Sequence, residues 1–271
     1  MVKLVFLGSG GGRYAMATQA RATGGFRIDM DGVNIHIDPG PGALVRAKEY
    51  GVNIKNTDVV MVSHVHLDHS NDCNAVIDAM TEGAKNPKGI LLGSVSAIQG
   101  YDNNSPALLK IYLKSLENTV VMKAGDSTNL KSIKVKATPT KHSDPMCIGF
   151  RIEGSKTISY TSDSEYFPEL KKYHKNADLL VINMLRPDND TWPMHMNLDN
   201  AITLIKETEP KLCVLQHFGM KVIERGPEKQ AQKAAKETGV KVIAAEDGMV
   251  LDLDKNSAPL GKYIRNDVKE A

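Results

Sequence analysis

The sequence predicts an α/β protein in which two β-sheets pack against each other and helices cover the outside. Short β-rich runs alternate with helical patterns along the chain, and the early strands are spaced like consecutive hairpins. No stretch rich in proline, glycine and serine separates two parts, so we expect a single domain over residues 1–271. The alternative is a doubly wound parallel sheet, but the early hairpins argue against it.

The predicted strands are short runs rich in valine, isoleucine and leucine. They cover residues 4–7, 26–29, 33–37, 59–63, 89–92, 132–137, 147–152, 157–160, 179–183, 211–215, 240–244 and 249–253, with one more near Val120. Helical periodicity predicts helices at 43–49, 75–80, 106–116, 198–207 and 227–236. The helix at 106–116 has Ser105 as a candidate N-cap and a proline in its first turn.

Composition and charge exclude several classes of protein. The hydrophobic fraction is 41% and the charged fraction is 24%, as in ordinary globular proteins. The 34 basic and 32 acidic side chains leave a net charge of +2. This charge is too small to indicate a protein that binds nucleic acid over its whole surface. No apolar run approaches the ~20 residues that span a bilayer. Three widely separated cysteines and the lack of a signal peptide predict a cytoplasmic location.

The segment SHVHLDHS, residues 63–70, places three of the chain's histidines and an aspartate within six positions. Unpaired imidazoles and carboxylates are costly to bury, so a bound cation is the simplest explanation for this crowding. Because side chains alternate along an extended chain, His64 and His66 point to the same side and can bind one ion. Asp68 and His69 follow a predicted turn and can bind a second ion. A chance solvated loop is the alternative.

Further ligands are expected where other strands end, since two ions need more donors than this loop contains. Three candidates follow predicted strands: His142 in KATPTKHSD, Asp163 in TISYTSDS and His217 in KLCVLQHFG. Imidazole and carboxylate donors suit zinc, manganese or iron, whereas the histidine segment contains no cysteine for a structural zinc–thiolate site. Taken singly, each of the three is also explained as a surface residue that ends a strand.

The HxHxDH motif, a later histidine, an aspartate at a strand end and a last histidine together resemble the metallo-β-lactamase-fold hydrolases. The resemblance extends over nearly the whole chain and includes the turn LGSGGGR and the segment IDPGPG. It implies an αββα four-layer sandwich with two metal ions between the strand ends. It also implies their ligands: His64, His66 and His142 for the first ion, Asp68, His69 and His217 for the second, and Asp163 between both. Such ions lower the pKa of a shared water and neutralise charge on the substrate.

Two other segments have supporting roles in this interpretation. Asp38, in IDPGPG, is expected to orient the histidine loop from behind. The glycines of LGSGGGR are followed by Arg13 rather than by the Gly-Lys-Ser/Thr of a nucleotide-binding loop. We therefore interpret them as a tight turn beneath the active site.

His195 indicates a branch of this family. It lies in RPDNDTWPMHMNLDNAI, ahead of a predicted helix with Asn197 as N-cap. In this position it resembles the additional histidine of ribonuclease Z and its small phosphodiesterase relatives, which contacts the phosphate or helps to protonate the leaving oxygen. The resemblance implies a phosphodiesterase with Asp68 and His195 as catalytic residues, and Arg21 is a candidate contact for the substrate phosphate. A solvated loop histidine and a plain surface arginine are the alternatives.

One departure from ribonuclease Z limits the substrate. The short form of that enzyme carries a protruding basic arm between the ligand histidine and the bridging aspartate, but here His142 and Asp163 are only 21 positions apart (163 − 142). We therefore expect a small-molecule or short nucleic-acid phosphodiester as substrate, hydrolysed by metal-activated water. The alternatives are lactone or thioester hydrolysis, tRNA 3′ processing, and a non-catalytic, metal-stabilised RNA-binding protein.

The expected cofactors and partners follow from the same interpretation. Two divalent metal ions are expected, with zinc ahead of manganese and iron. We expect no membrane partner, because no long apolar run is present. A homodimer is a candidate assembly, since members of the resembled family often pair.

Overall fold

Two β-sheets form the middle of the protein in the computed structural model, which describes residues 1–255 and 259–262. The strands, in chain order, are β1 (Val2–Phe6), β2 (Phe26–Met30), β3 (Val33–Ile37), β4 (Val59–Val62), β5 (Ile90–Ser94), β6 (Asn118–Met122), β7 (Ser127–Leu130), β8 (Ile133–Pro139), β9 (Ile148–Glu153), β10 (Thr157–Tyr160), β11 (Leu179–Arg186), β12 (Met196–Asn197), β13 (Leu212–Gln216), β14 (Lys241–Ala244), β15 (Met249–Asp252) and β16 (Pro259–Lys262). Most of them coincide with the predicted runs to within two or three residues.

The helices are short and lie between the strands. They are α1 (Gly12–Thr18), α2 (Ala43–Glu49), α3 (Leu67–Ser70), α4 (Cys73–Met80), α5 (Val95–Gln99), α6 (Lys110–Lys114), α7 (Leu170–His174), α8 (Leu198–Thr208), α9 (Met220–Arg225) and α10 (Pro227–Thr238), with a 3-10 turn at Ile54–Asn56. Within the described part of the chain, none of these helices has the length and apolar character needed to cross a bilayer.

The two sheets have similar connectivity. The first has the order β16-β15-β1-β2-β3-β4-β5-β6, and the second has the order β14-β13-β11-β10-β9-β8-β7, with β12 beside β11. In the first sheet β1 to β3 are antiparallel and β3 to β6 are parallel. In the second, β7 to β10 are antiparallel, whereas β10, β11, β13 and β14 are parallel. The predicted pair of sheets is confirmed, and the alternative of one doubly wound parallel sheet is wrong.

The main hydrophobic core lies between the inner faces of the two sheets. Phe6 and Phe26 of the first sheet stack with ring centroids 5.5 Å apart, and Tyr160 of the second sheet meets Phe26 edge-on at 5.2 Å. Aromatic pairs with these geometries add favourable contacts to the area they bury. The two sheets are therefore joined at a point directly behind the strand ends that carry the polar motifs.

Helices cover both outer faces and complete the four layers. Ala43 and Ala47 of α2, with α4, pack on the outer face of the first sheet, and Ala201 and Ile205 of α8, with α10, pack on that of the second. An amphipathic helix buries its apolar stripe in this way, so each sheet has an apolar face on both sides. The αββα sandwich implied by the resemblance is confirmed.

Two helix predictions had different outcomes. Asn197 is the N-cap of α8, and its side chain and that of Asn200 each bind the other's backbone N–H. The helix predicted at 106–116 is wrong except for α6, and Ser105 does not cap it. The side chain of Asn74 binds the carbonyl of Ala107 and the N–H of Leu109, which holds this segment in a non-helical conformation against α4. Long-range hydrogen bonds of this kind have no local signal.

A buried histidine far from the polar motifs makes the stability of the fold depend on pH. His174 is fully buried at the end of α7, and its Nδ1 lies 2.7 Å from the Ser159 hydroxyl. Burial and the nearby Arg151 charge lower the pKa of His174 to about 3. In the unfolded chain its pKa is about 6.5. As the pH falls, the unfolded chain binds a proton at this histidine at a higher pH than the folded protein does. Stability that is present above pH 6.5 is therefore lost as the pH falls toward 3.

We therefore expect His174→Gln to weaken the pH dependence of the free energy of unfolding. Between pH 7 and pH 5, proton binding by His174 in the unfolded chain lowers the free energy of unfolding of wild type by about 2 kcal/mol. The variant lacks this loss. Urea unfolding of both proteins at the two pH values measures the difference. Tyr173→Phe, a change at the neighbouring and more exposed position, is the control. An equal loss of stability in wild type and His174→Gln contradicts the assignment.

Candidate metal centre

The histidine loop begins where β4 ends, and its side chains belong to groups that could hold a metal ion. His64 is fully buried, and His66 is the extended N-cap residue of α3. Asp68 and His69 lie within this one-turn helix rather than after a simple turn. The Nε2 atom of His64 and the Nδ1 atom of His66 are 3.1 Å apart, so the two side chains converge as predicted for an extended segment.

His142 joins this pair from the loop after β8. Its Nε2 atom lies 3.1 Å from Nδ1 of His66, and its Nδ1 atom lies 3.2 Å from the carbonyl oxygen of Met194. The carbonyl can only accept a hydrogen bond, so it fixes the proton on Nδ1 and leaves Nε2 as a lone-pair donor. His64, His66 and His142 thus form one group of nitrogens able to hold a cation.

A second group brings together Asp68, His69, Asp163 and His217. The Nε2 atoms of His69 and His217 are 3.1 Å apart. His217 Nε2 lies 3.3 Å from a carboxylate oxygen of Asp68 and 3.3 Å from one of Asp163. Asp163 follows β10 and His217 follows β13, so the parallel strands of the second sheet deliver both to the edge where β4 ends.

His195 approaches the same carboxylate from a turn after β11. Its Nε2 atom lies 3.3 Å from Asp163, and its Nδ1 atom lies 3.0 Å from the carbonyl oxygen of Pro193. Together with His142 and Asp163 it forms a third group of converging donors. Burial opposes its protonation, but the hydrogen bond to Asp163 and the charge of that carboxylate raise the pKa of His195.

The chemistry of these donors fits divalent metal ions. Imidazole nitrogens face one another at 3.1 Å, and such lone pairs repel unless a cation or a shared proton lies between them. Burial and neighbouring imidazoles lower the pKa of His64 well below its usual value and that of His142 to about 4. Both therefore stay neutral, which is the form that binds metal. The groups contain nitrogen and carboxylate oxygen without sulfur, as suits zinc, manganese or iron.

Asp38 supports the centre from behind, where the sequence placed it. One carboxylate oxygen accepts hydrogen bonds from the Ser63 hydroxyl at 2.7 Å and from the Tyr160 hydroxyl at 2.8 Å, and lies 3.0 Å from His69 Nδ1. The other oxygen accepts from the Ser63 N–H at 2.7 Å. This carboxylate therefore fixes His69 with its Nε2 atom toward the second group.

Three buried residues in this support were missed by the sequence reasoning. The Asn183 side chain donates to Asp163 at 2.7 Å and to the Tyr160 hydroxyl at 3.1 Å, and Gln216 donates to Asn183 at 3.0 Å. Asp144 accepts from the Val65 N–H at 3.2 Å. For Asn183 and Gln216 the signal was a polar residue in an otherwise apolar strand, LLVINMLR and LCVLQ, whereas Asp144 lies in a loop and had no such signal. Buried polar side chains need partners, and these partners come from distant strands.

The glycine-rich turn lies directly against the second group. The N–H of Gly12 donates to Asp68 at 2.7 Å. Asp247 holds the turn by accepting hydrogen bonds from the N–H groups of Ser9 and Ala22, each at 2.8 Å. Arg21 lies beside the turn, where its guanidinium contacts the Ser9 hydroxyl at 3.3 Å and Glu228 at 3.6 Å. The structure thus brings together the seven predicted metal ligands and His195, whereas Arg21 is outside the three groups.

Comparison with known proteins identifies relatives of this chain. Residues 33–218 match the family model described as the beta-lactamase superfamily domain. An uncharacterized protein of Methanocaldococcus jannaschii is 37% identical over 93% of this chain and 95% of its own length. The probable metallo-hydrolase YhfI of Bacillus subtilis is 28% identical over 81% of this chain and 89% of its own length.

Solved structures share the fold. The crystal structure of YhfI has a TM-score of 0.76 at 24% identity and covers 92% of this chain and 98% of that chain. The crystal structure of a diphosphatase from the PhnP family has a TM-score of 0.71 at 18% identity, over 93% of this chain and 98% of that chain. The arrangement of strands and helices is therefore common to these proteins.

Proposed function

The chain belongs to the beta-lactamase superfamily and is a metal-dependent hydrolase, and on this premise we propose that it is a phosphodiesterase with two divalent metal ions. Its substrate is a small or unstructured phosphodiester. The observation that carries this proposal is His195, whose Nε2 atom lies 3.3 Å from Asp163 at the edge of the converging metal-binding groups. A phosphodiester needs a proton donor for its departing alkoxide, and a positioned histidine supplies one.

The seven converging side chains would hold the two ions. His64, His66 and His142 would bind the first, Asp68, His69 and His217 the second, and Asp163 would bridge them. When bound, such ions lower the pKa of water and neutralise the charge that builds on the phosphoryl oxygens. We infer zinc as the metal, with manganese and iron as alternatives, because nitrogen donors outnumber oxygen donors. Asp68 has a second task, since it accepts the Gly12 N–H and so joins the glycine-rich turn to the ligand set.

The protein's own residues orient the proton donor. Pro193 accepts from His195 at Nδ1, which directs Nε2 toward Asp163 and the substrate side. Asp163 in turn is held by Asn183 at 2.7 Å, so the carboxylate beside His195 has a fixed position. A fixed donor avoids the cost of reorientation as the leaving oxygen develops charge. Arg21 remains a prediction as a phosphate contact, although Ser9 and Glu228 already engage its guanidinium.

The short connection between His142 and Asp163 supports a small substrate. It consists of a loop, β9, the turn at residues 154–156 and β10, and both strands are paired inside the second sheet. No residue of this connection is left over to form a protruding arm that could grip a folded RNA. The chain also shares its fold with a diphosphatase of the PhnP family. The cytoplasmic location and a single domain over residues 1–271 remain part of this proposal.

The test compares His195→Gln with wild type on a phosphodiester whose leaving group is an alkyl alcohol, so that the departing alkoxide needs a proton, and on a chromogenic carboxylic ester and a chromogenic lactone. We expect wild type to cleave the phosphodiester and the variant to lose on the order of a hundredfold in kcat. Metal content per chain is measured alongside, and we expect it to be unchanged. Tyr173→Phe is the control for handling and folding.

Other outcomes favour the alternative functions. Cleavage of only the ester or lactone, with little effect of His195→Gln, indicates an ester or lactone hydrolase. Specific cleavage of precursor tRNA at its 3′ end indicates the tRNA-processing function. Absence of hydrolysis together with tight, salt-dependent RNA binding indicates a non-catalytic RNA-binding protein.

A further inference from the structure

Trp192 is a half-exposed aromatic residue that has no part in the proposed metal site or proton transfer. It is the only tryptophan of the chain, and 50% of its surface is exposed. The Arg186 guanidinium stacks on one face of its ring, 4.4 Å from the ring centroid. Stacking of the guanidinium on one side holds the ring in place, while half of its surface stays in contact with water.

The position of this indole is tied to the metal-binding groups through one turn. The N–H of His195 donates to the carbonyl of Trp192 at 3.3 Å, and Met194 has a φ of 63° at the third position, as in a type II turn after Pro193. The carbonyls of Met194 and Pro193 bind the imidazoles of His142 and His195. The turn that orients these two imidazoles therefore also fixes the backbone of Trp192 beside them.

Arg186 adds an incompletely satisfied positive charge beneath the ring. Its Nε atom is buried and has no hydrogen-bond partner within the described residues. Across residues 1–255, no carboxylate forms an ion pair with it, although the charge of Asp190 is near enough to interact. The guanidinium is therefore held on the indole by stacking rather than by an ion pair.

We propose that Trp192 and Arg186 form a stacking platform for the nucleobase of a nucleoside phosphodiester. This inference rests on the proposed phosphodiesterase function and narrows its substrate class. Every nucleobase presents a flat π face, and stacking on an aromatic side chain tolerates any base sequence. Because Arg186 already orders the indole, little conformational freedom is lost when a base stacks on its open face. One exposed ring accommodates a single base, in keeping with a small or unstructured substrate.

The first test uses the fluorescence of the single tryptophan. Purified protein, both metal-free and zinc-loaded, is titrated with adenosine 5′-monophosphate, with ribose 5-phosphate and with inorganic phosphate. The excitation wavelength is one that tryptophan absorbs and adenine does not. We expect saturable quenching by the nucleotide alone, because only it carries a ring that can stack. No quenching by the nucleotide, or the same change with ribose 5-phosphate, overturns the platform. This readout does not depend on hydrolysis.

The second test measures specificity. Wild type and Trp192→Ala are assayed with a nucleoside p-nitrophenyl phosphodiester and with methyl p-nitrophenyl phosphate, which share a leaving group. We expect the ratio of kcat/KM values for the two substrates to fall about tenfold in Trp192→Ala, chiefly through KM. The ratio is expected to fall less in Trp192→Phe, which keeps a π face. Tyr173→Ala, an exposed aromatic position on α7, is expected to leave the ratio unchanged.

The two proposals fail in different ways. If wild type cleaves both diesters and Trp192→Ala keeps the wild-type ratio, the platform is wrong and the phosphodiesterase function stands. If wild type cleaves neither diester, the phosphodiesterase function is wrong, and the fluorescence titration alone decides whether a nucleobase stacks on Trp192.

Discussion

Asp163→Ala is expected to abolish hydrolysis of every substrate that the wild-type protein cleaves. Asp163 is 2% exposed and faces three imidazoles: His195 at 3.3 Å, His217 at 3.3 Å and His69 at 3.4 Å. Loss of this carboxylate removes the proposed bridge between the two ions and leaves their mutual repulsion uncompensated. Metal ions contribute several kcal/mol to the transition state, so we expect kcat to fall on the order of a thousandfold or more.

The charge of Asp163 is stabilised by its surroundings. Burial alone raises the pKa of a carboxyl group, but the neighbouring His217 and His69, with hydrogen bonds from His195 and His69, hold the pKa of Asp163 well below its usual value. The carboxylate is therefore ionised at neutral pH.

The Asp163 prediction is checked by steady-state kinetics and by metal content per chain after dialysis. Asp163→Asn is nearly isosteric, and we expect it to lose metal as Asp163→Ala does, because its amide does not carry the charge. Asp178→Asn is the matched control, since Asp178 binds Thr157 and Lys211 at the opposite ends of the same strands. Wild-type turnover by Asp163→Ala would rule out a bridging role and would indicate that Asp163 has only a structural role.

The parts of this site that the sequence predicted share one property. His64, His66, Asp68 and His69 lie in one short segment, so their spacing alone predicts convergence. His142, Asp163 and His217 are distant in sequence, but each follows a strand, and the ends of parallel strands meet at one edge. Strand periodicity therefore made them candidates, and the resemblance to the metallo-β-lactamase-fold hydrolases assigned them to the site.

The parts that the sequence did not predict depend on contacts between distant segments. Asn183 and Gln216 resemble ordinary strand residues until the second sheet aligns β10, β11 and β13 and joins them to Asp163. The truncation of the helix at 106–116 likewise depends on Asn74, more than thirty positions earlier. Local propensity carries no information about such partners, which is why element boundaries and supporting polar residues were the least predictable features.

The glycine-rich turn lies between these two cases. The sequence predicts a tight turn near the site but not which glycine has a steric role. Gly11 has an extended backbone, with φ of −160°, which any residue adopts, so its conformation does not require glycine. A Cβ atom on Gly11 would lie only 2.0 to 2.3 Å from ring atoms of His217, well inside van der Waals contact. Glycine is needed at position 11 because the imidazole of His217 occupies the space of a Cβ atom.

Gly11 itself binds neither metal nor substrate in the proposed site. Gly11→Ala is nevertheless expected to inactivate the protein. The added methyl group must displace His217, whose Nε2 atom lies 3.3 Å from both Asp68 and Asp163, and the second metal-binding group loses one of its donors. We expect kcat to fall on the order of a thousandfold, with metal content reduced and the melting temperature of the metal-free protein little changed. Gly32→Ala is the control, because a Cβ atom there meets nothing within 4 Å and its positive φ of 79° costs only about 1 kcal/mol. Full activity and metal content in Gly11→Ala would mean that His217 can move without loss, and would remove it from the ligand set.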